Sequence, residues 1–152
     1  MILATMLRGN SETAQYLDKT SQAKSQYFRE SAAFSKQPAY NELFSVWNEC
    51  KISNWDGYQA FPVKEETLFN TYSFIEALPL GASLPSIGVE PDGHLTLEWY
   101  QHPRWTLSIS ISPECNLYYA ALFGESVERG SEVFAGIVHR TILDLIQRVC
   151  IA

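Results

Sequence analysis

"SIGVEPDGHLTLEWY", Ser86 to Tyr100, decides how this chain folds. Ile87 and Val89 alternate with Gly88 and Glu90. After Pro91-Asp92-Gly93, Leu95, Leu97 and Trp99 alternate with His94, Thr96, Glu98 and Tyr100. A period of two places successive side chains on opposite faces of a strand, and a Pro-Asp-Gly between two such runs joins them as an antiparallel hairpin. The pattern continues downstream. Trp105, Leu107, Ile109 and Ile111 alternate with Arg104, Thr106, Ser108, Ser110 and Ser112; "PECN" turns the chain; Leu117, Tyr119, Ala121 and Phe123 extend the dry side. Four meander strands are expected, and the polar "GESVERGSE" is expected as a connection with room for a short fifth strand near Val133 and Phe134.

Upstream of Ser86 the period is 3.6. "VKEETLFNTYSFIEAL" sets Leu68, Tyr72, Ile75 and Leu78 on one stripe, with Glu65 and Glu66 near the positive end of the helix dipole, and "PLGASLP" ends the helix. Before it, Pro38 opens "PAYNELFSVWNEC", where Tyr40, Leu43, Phe44 and Trp47 recur at helical spacing; this predicts a short buried helix starting at the proline. Downstream, Val138, Ile142, Leu145, Ile146 and Val149 predict a closing helix with a broad apolar stripe. From Ser11, a candidate cap, to Lys36 the apolar residues Tyr16, Leu17, Tyr27, Phe28 and Phe34 are sparse. Residues 1–36 are therefore expected as an N-terminal helical arm, mobile or partner-binding, and 37–152 as a single α+β domain. A sheet with one apolar face must bury it. The expected fold is a two-layer α+β sandwich, a four- to five-stranded antiparallel meander covered by helices, in the order α-α-α-β-β-β-β-α.

Composition narrows the function classes. The 152 residues suffice for one domain with its own core, and 46% hydrophobic residues exclude a globally disordered chain. A net charge of −6 disfavours wrapping a phosphate backbone, so no direct nucleic-acid partner is expected, and a basic protein partner matches the charge better. Cys50, Cys115 and Cys150 are widely spaced, without a C-x-x-C pair, which points away from a disulfide framework and from a zinc knuckle and fits a reducing cytoplasm. "MILATML" is too short and lacks the basic start of a secretion signal, and no apolar run reaches the roughly 20 residues that cross a bilayer. A cytoplasmic protein without a membrane partner is expected.

The most distinctive short stretch is "NWDGYQAFPV", Asn54 to Val63. Asn54 or Asp56 is suited to accept a backbone N–H in an Asx-type turn, Gly57 to adopt positive φ, and Trp55, Tyr58 and Phe61 to pin the loop on the core. Asp56 has no His, Lys or second carboxylate beside it in sequence, so the stretch reads as a corner of the fold and not as a catalytic loop. "NWDGYQAFPVKEETL", "FIEALP" and "GVEPDGHLTLEWY" together resemble a family of small uncharacterised bacterial proteins with an N-W-D-G-Y-x-A-x-P-V segment, a helix ending in L-P and an E-P-D-G hairpin before a "LEW" strand. The resemblance spans roughly residues 54 to 149 and implies no activity. Gln59 and Lys64 stand where that pattern favours glycine and a small hydroxyl residue.

No nucleophile motif or phosphate-cradling glycine pattern is present. His94, Glu98, His102 and His139 form at best a loose set, so no metal and no cofactor is expected. The Thr- and Ser-rich strand face with Glu98, Tyr100, Arg104 and Tyr118, together with Trp55, Asp56 and Tyr58, supplies the candidate binding residues, because Tyr, Trp and Arg are favoured interface anchors. The expected function is a non-enzymatic protein-binding or regulatory module, an inhibitor, immunity-like or accessory protein. The alternative is a small enzyme or ligand binder using a cleft between the Asn54–Tyr58 loop and the polar sheet face, with Asp56, His94 and Glu98 as its polar groups.

Overall fold

The alternation that starts at Ser86 produces a five-stranded antiparallel sheet in the computed structural model, which describes residues 12–151 and all their side chains except those of residues 28, 32 and 33. The expectations for "MILATML" and for Ser11 lie outside the described residues, and that for the Phe28 side chain likewise. The strands are β1 (Ser86–Val89), β2 (Leu95–His102), β3 (Trp105–Ile111), β4 (Asn116–Phe123) and β5 (Ser126–Val133), each paired with the next in sequence. Among the described residues three helices accompany them: α1 (Glu12–Cys50), α2 (Glu65–Ala77) and α3 (Arg140–Ile151). None is long and apolar enough to cross a membrane.

Register sets the dry face. Leu97 lies opposite Ile87 on one side and Ile109 on the other, Ile109 opposite Tyr119, and Trp105 opposite Phe123. Leu95, Leu97, Trp99, Leu107, Ile109, Ile111, Leu117, Ala121 and Phe123 are all buried, and they share a core with Ile142, Leu145, Ile146 and Val149 of α3 and Leu68, Phe74 and Ile75 of α2. Each large side chain removed from water there contributes roughly 2 kcal/mol. Both helices contact β2 and β3, the centre of the dry face.

Two expectations about elements are corrected. The first is the break at Pro38: one helix runs from Glu12 to Cys50 with the proline inside it. Pro38 has no amide to bond the carbonyl one turn before it, and the residue is exposed. The order is therefore α-α-β-β-β-β-β-α. The second is "GESVERGSE", which is not a connection. It supplies β5, eight residues long and paired with β4 along its whole length. Its core-side positions are Glu128, Gly130 and Glu132, which is why no apolar alternation announced it. Glu128 pairs with Arg148 at 2.8 Å and Glu132 with His139 at 2.9 Å. The Tyr119 ring so fills the space over Gly130 that any Cβ there would collide with it.

The chain divides into two compact units, Met1–Ser35 and Lys36–Ala152. Within the second, Lys36 is buried and donates from Nζ to the carbonyl oxygens of Glu76 and Leu78, both at 2.6 Å. These are the last carbonyls of α2, which has no basic residue in its own last turn. Burial pushes the Lys36 ammonium below its ordinary range, countered in part by the Glu76 carboxylate. One turn further on, Tyr40 stacks on Tyr72 at 4.5 Å, and burial, with Tyr72 and Glu76 adding to it, pushes its phenol up to about 12.

Candidate functional site

The Asn54–Val63 stretch is held by its own polar groups. Asp56 Oδ1 accepts from the amides of Tyr58 at 2.8 Å and Ala60 at 3.1 Å, and Asn54 Oδ1 accepts from the Gln59 amide at 2.7 Å. Asn54 N–H donates to the Ala60 carbonyl at 2.8 Å, and Val63 N–H to the Cys50 carbonyl at 2.9 Å closes the loop at its base. Trp55 packs against the core and donates from Nε1 to the Phe61 carbonyl at 2.9 Å. Asp56 thus spends one carboxylate oxygen on fixing backbone, the turn role that its residue type suggests. Tyr58 and Phe61 do not pin the loop: they are 89% and 68% exposed. Hydrogen bonds already determine the loop's path, so these aromatic rings are free to face solvent.

The loop is tied to the first hairpin. Phe61 N–H donates to the Pro91 carbonyl at 2.9 Å, and Gly93 approaches Pro62 so closely that a Cβ at Gly93 would lie 2.8 Å from the Pro62 oxygen. With φ at 89° as well, position 93 accepts glycine for two separate reasons. Around this junction lies a cavity of about 450 Å³, lined by Phe61, Pro62, Lys64, Thr67, Asp92, Gly93, His94, Pro113 and Glu114. It sits where the Asn54–Val63 loop, the start of α2, the β1–β2 turn and the β3–β4 turn meet.

The sheet face opposite the core is the second surface. Thr96, Glu98 and Tyr100 of β2 point to it; Thr106, Ser108 and Ser110 answer from β3, Tyr118, Ala120 and Leu122 from β4, and Val127, Arg129 and Ser131 from β5. All of these are exposed or half-exposed, with Tyr100 at 57% and Tyr118 at 47%.

The residues chosen from sequence do not form one site. Glu98, Tyr100 and Tyr118 share the open face, with Glu98 opposite Ser108, Tyr100 opposite Thr106 and Tyr118 opposite Ser110. Arg104 lies in the β2–β3 turn at one end of the sheet, whereas Trp55, Asp56 and Tyr58 belong to the loop bonded to the β1–β2 turn at the other. The length of β2, roughly 25 Å at about 3.3 Å per residue, separates those ends. The loose histidine set is dispersed too: His139 pairs with Glu132 at 2.9 Å, His102 lies against Trp105, and Glu98 is a full strand segment from His94.

The structure instead brings His94 to Glu90 and Asp92. One donor atom from each of the three lies within 4.8 Å of the other two. Glu90 escaped the sequence reading because it flanks a turn and has no helical or strand partner to single it out; spacing at i, i+2 and i+4 across Pro-Asp-Gly was the available signal. Compared with family models, with curated proteins and with solved structures, the chain matches none.

Proposed function

We propose that this chain is a non-enzymatic protein-binding or regulatory module, inhibitory, immunity-like or accessory in role, and that the open sheet face is where the partner docks. The observation that supports it is the pair of half-exposed tyrosines, Tyr100 and Tyr118, standing on a rigid sheet among half-buried hydroxyls. A tyrosine on a strand offers a large contact area at small entropic cost, and the surrounding Thr96, Thr106, Ser108 and Ser110 supply hydrogen-bonding groups without bulk. A net charge of −6 favours a basic partner, whose approach it would steer. The resemblance of residues 54–149 to small bacterial proteins is compatible with this reading and adds no activity to it.

The test is co-purification from the native cell extract with the wild-type chain and with Tyr100→Ala/Tyr118→Ala. The reading expects a specific protein to be retained by the wild type and lost from a double variant of unchanged thermal stability. A wild type that retains nothing specific, or a variant that retains the same protein equally well, contradicts it.

A further inference from the structure

The two edges of the sheet are finished differently. β1 is four residues long, and its outward Ile87 N–H donates to Glu42 Oε1 of α1 at 3.0 Å, so that edge is short and covered. β5 is eight residues long, contains neither proline nor lysine, and pairs with β4 without a bulge. Shortness, cover, proline, lysine and bulges are the usual means of keeping an edge from pairing with another chain, and β5 has none of them.

The ladder fixes which groups β5 turns outward. Phe134 N–H donates to the Cys115 carbonyl at 2.9 Å, in line with the β4–β5 register, so the residues bonded to β4 are Ser126, Glu128, Gly130 and Glu132. The amides and carbonyls of Val127, Arg129, Ser131 and Val133 point the other way, and among the described residues they have no hydrogen-bond partner. All four residues are exposed, Val127 to 53% and Val133 to 61%.

We propose that this edge is the interface of a homodimer, in which β5 pairs antiparallel with β5 of a second copy about a twofold axis at Gly130. The two sheets then become one. This goes beyond the docking role proposed for the open face and does not depend on it.

The sequence of β5 matches itself. A twofold contact requires that where residue i faces residue j, j also faces i. With the axis at Gly130, Val127 faces Val133 of the second copy and Arg129 faces Ser131 of the second copy, each pair occurring twice. Gly130 meets its own copy and brings no side chain to the axis. Each of the four outward residues exchanges both backbone hydrogen bonds with the residue opposite, and the exposed valines cover each other. Sliding the pairing by two residues one way sets Arg129 against its own copy; sliding it the other way separates the valines. On the core side Glu128 faces Glu132 of the second copy, and each carboxylate has its own neighbour: Arg148 Nη1 lies 2.8 Å from Glu128, and His139 Nδ1 lies 2.9 Å from Glu132.

A single strand edge covers less than the roughly 800 Å² per partner of a standard interface, which makes the dimer dependent on concentration. Edge pairing leaves the open face uncovered. It sets two copies of that face, each with Tyr100 and Tyr118, side by side on one continuous sheet.

Sedimentation velocity of the full chain at increasing concentration tests the proposal. The expected result is a mass that rises from that of one chain towards that of two. Ser131→Pro removes an amide that β4 does not use and so blocks the edge without breaking the sheet; a folded monomer is expected at every concentration. Val127→Lys and Val133→Glu, both at exposed positions, report the register. Each alone is expected to weaken association roughly fivefold to tenfold, because the change occurs twice across the axis, and the double variant to regain it by setting Lys opposite Glu. Absence of association up to about 0.5 mM would overturn the proposal, as would a folded Ser131→Pro that still dimerises. Should Ser131→Pro fail to fold, the valine variants decide: a double variant that associates no better than the single ones overturns the pairing.

Discussion

Gln59 has φ 67°, in the left-handed region that costs an L-residue with a Cβ about 1 kcal/mol and costs glycine nothing. The position is exposed, and its amide is held by Asn54 Oδ1. Gln59→Gly is therefore expected to raise the unfolding free energy by about 0.5–1 kcal/mol, less whatever the freer unfolded chain takes back, in a denaturant titration. Asp56→Ala is expected to act in the opposite sense, by about 2 kcal/mol, because two amides lose a charged acceptor; Asp56→Asn, which keeps an oxygen there, should lose less. The turn roles of Asn54, Asp56 and Gly57 were legible because each residue type has a local backbone partner available. The directions of Tyr58 and Phe61 were not. An aromatic in a loop shows that a large ring is present, but which way it points depends on contacts with segments far away in sequence. Glu90 was missed for the same reason in reverse: its contacts with His94 and Thr96 exist only once the turn has formed.

At the scale of elements, α2 is completed by a residue 40 positions away from its last turn, since Lys36 Nζ bonds the Glu76 carbonyl. Lys36→Met keeps most of the stem but leaves two buried or half-buried carbonyls unpaired, and it is expected to lower stability by about 2–3 kcal/mol, read as a reduced thermal midpoint. Tyr40, next to it, gives the molecule an alkaline limit. A phenol whose folded pKa lies at about 12 against 10.0 holds its proton more tightly when folded. Its contribution is complete below pH 10 and is lost as the pH climbs towards 12, up to roughly 2–3 kcal/mol. Tyr40→Phe should flatten that part of the stability-against-pH curve, and an unchanged curve would show that Tyr40 is not the group responsible. Periodicity made α2, α3 and the first four strands legible, since each buries one stripe or one face. It failed at β5, whose core-side Glu128 and Glu132 lie beside Arg148 of α3 and His139 of the segment before it. It failed also at Pro38: a proline usually ends or kinks a helix at the preceding turn, yet α1 continues through this one.

For the whole molecule, the two distinctive motifs, "NWDGY" and "EPDG", turn out to be partners in one junction: Phe61 bonds Pro91, and Gly93 makes room for Pro62. Their joint presence in the sequence is explained by contact, whatever the chain binds. That junction anchors one end of a sheet whose two faces differ, one packed on α2 and α3, the other carrying tyrosines and hydroxyls towards solvent. Neighbouring alanines on β4 sample the two faces: Ala120 is exposed and Ala121 is 1% exposed. Ala120→Cys and Ala121→Cys are nearly equal in volume, so thiol labelling under native conditions, located by mass spectrometry, compares the faces at a single strand. The layered fold predicts that Cys at 120 reacts at close to the rate of an unfolded peptide while Cys at 121 reacts only as the chain unfolds. Equal native rates at the two positions, or faster labelling at 121, would contradict it.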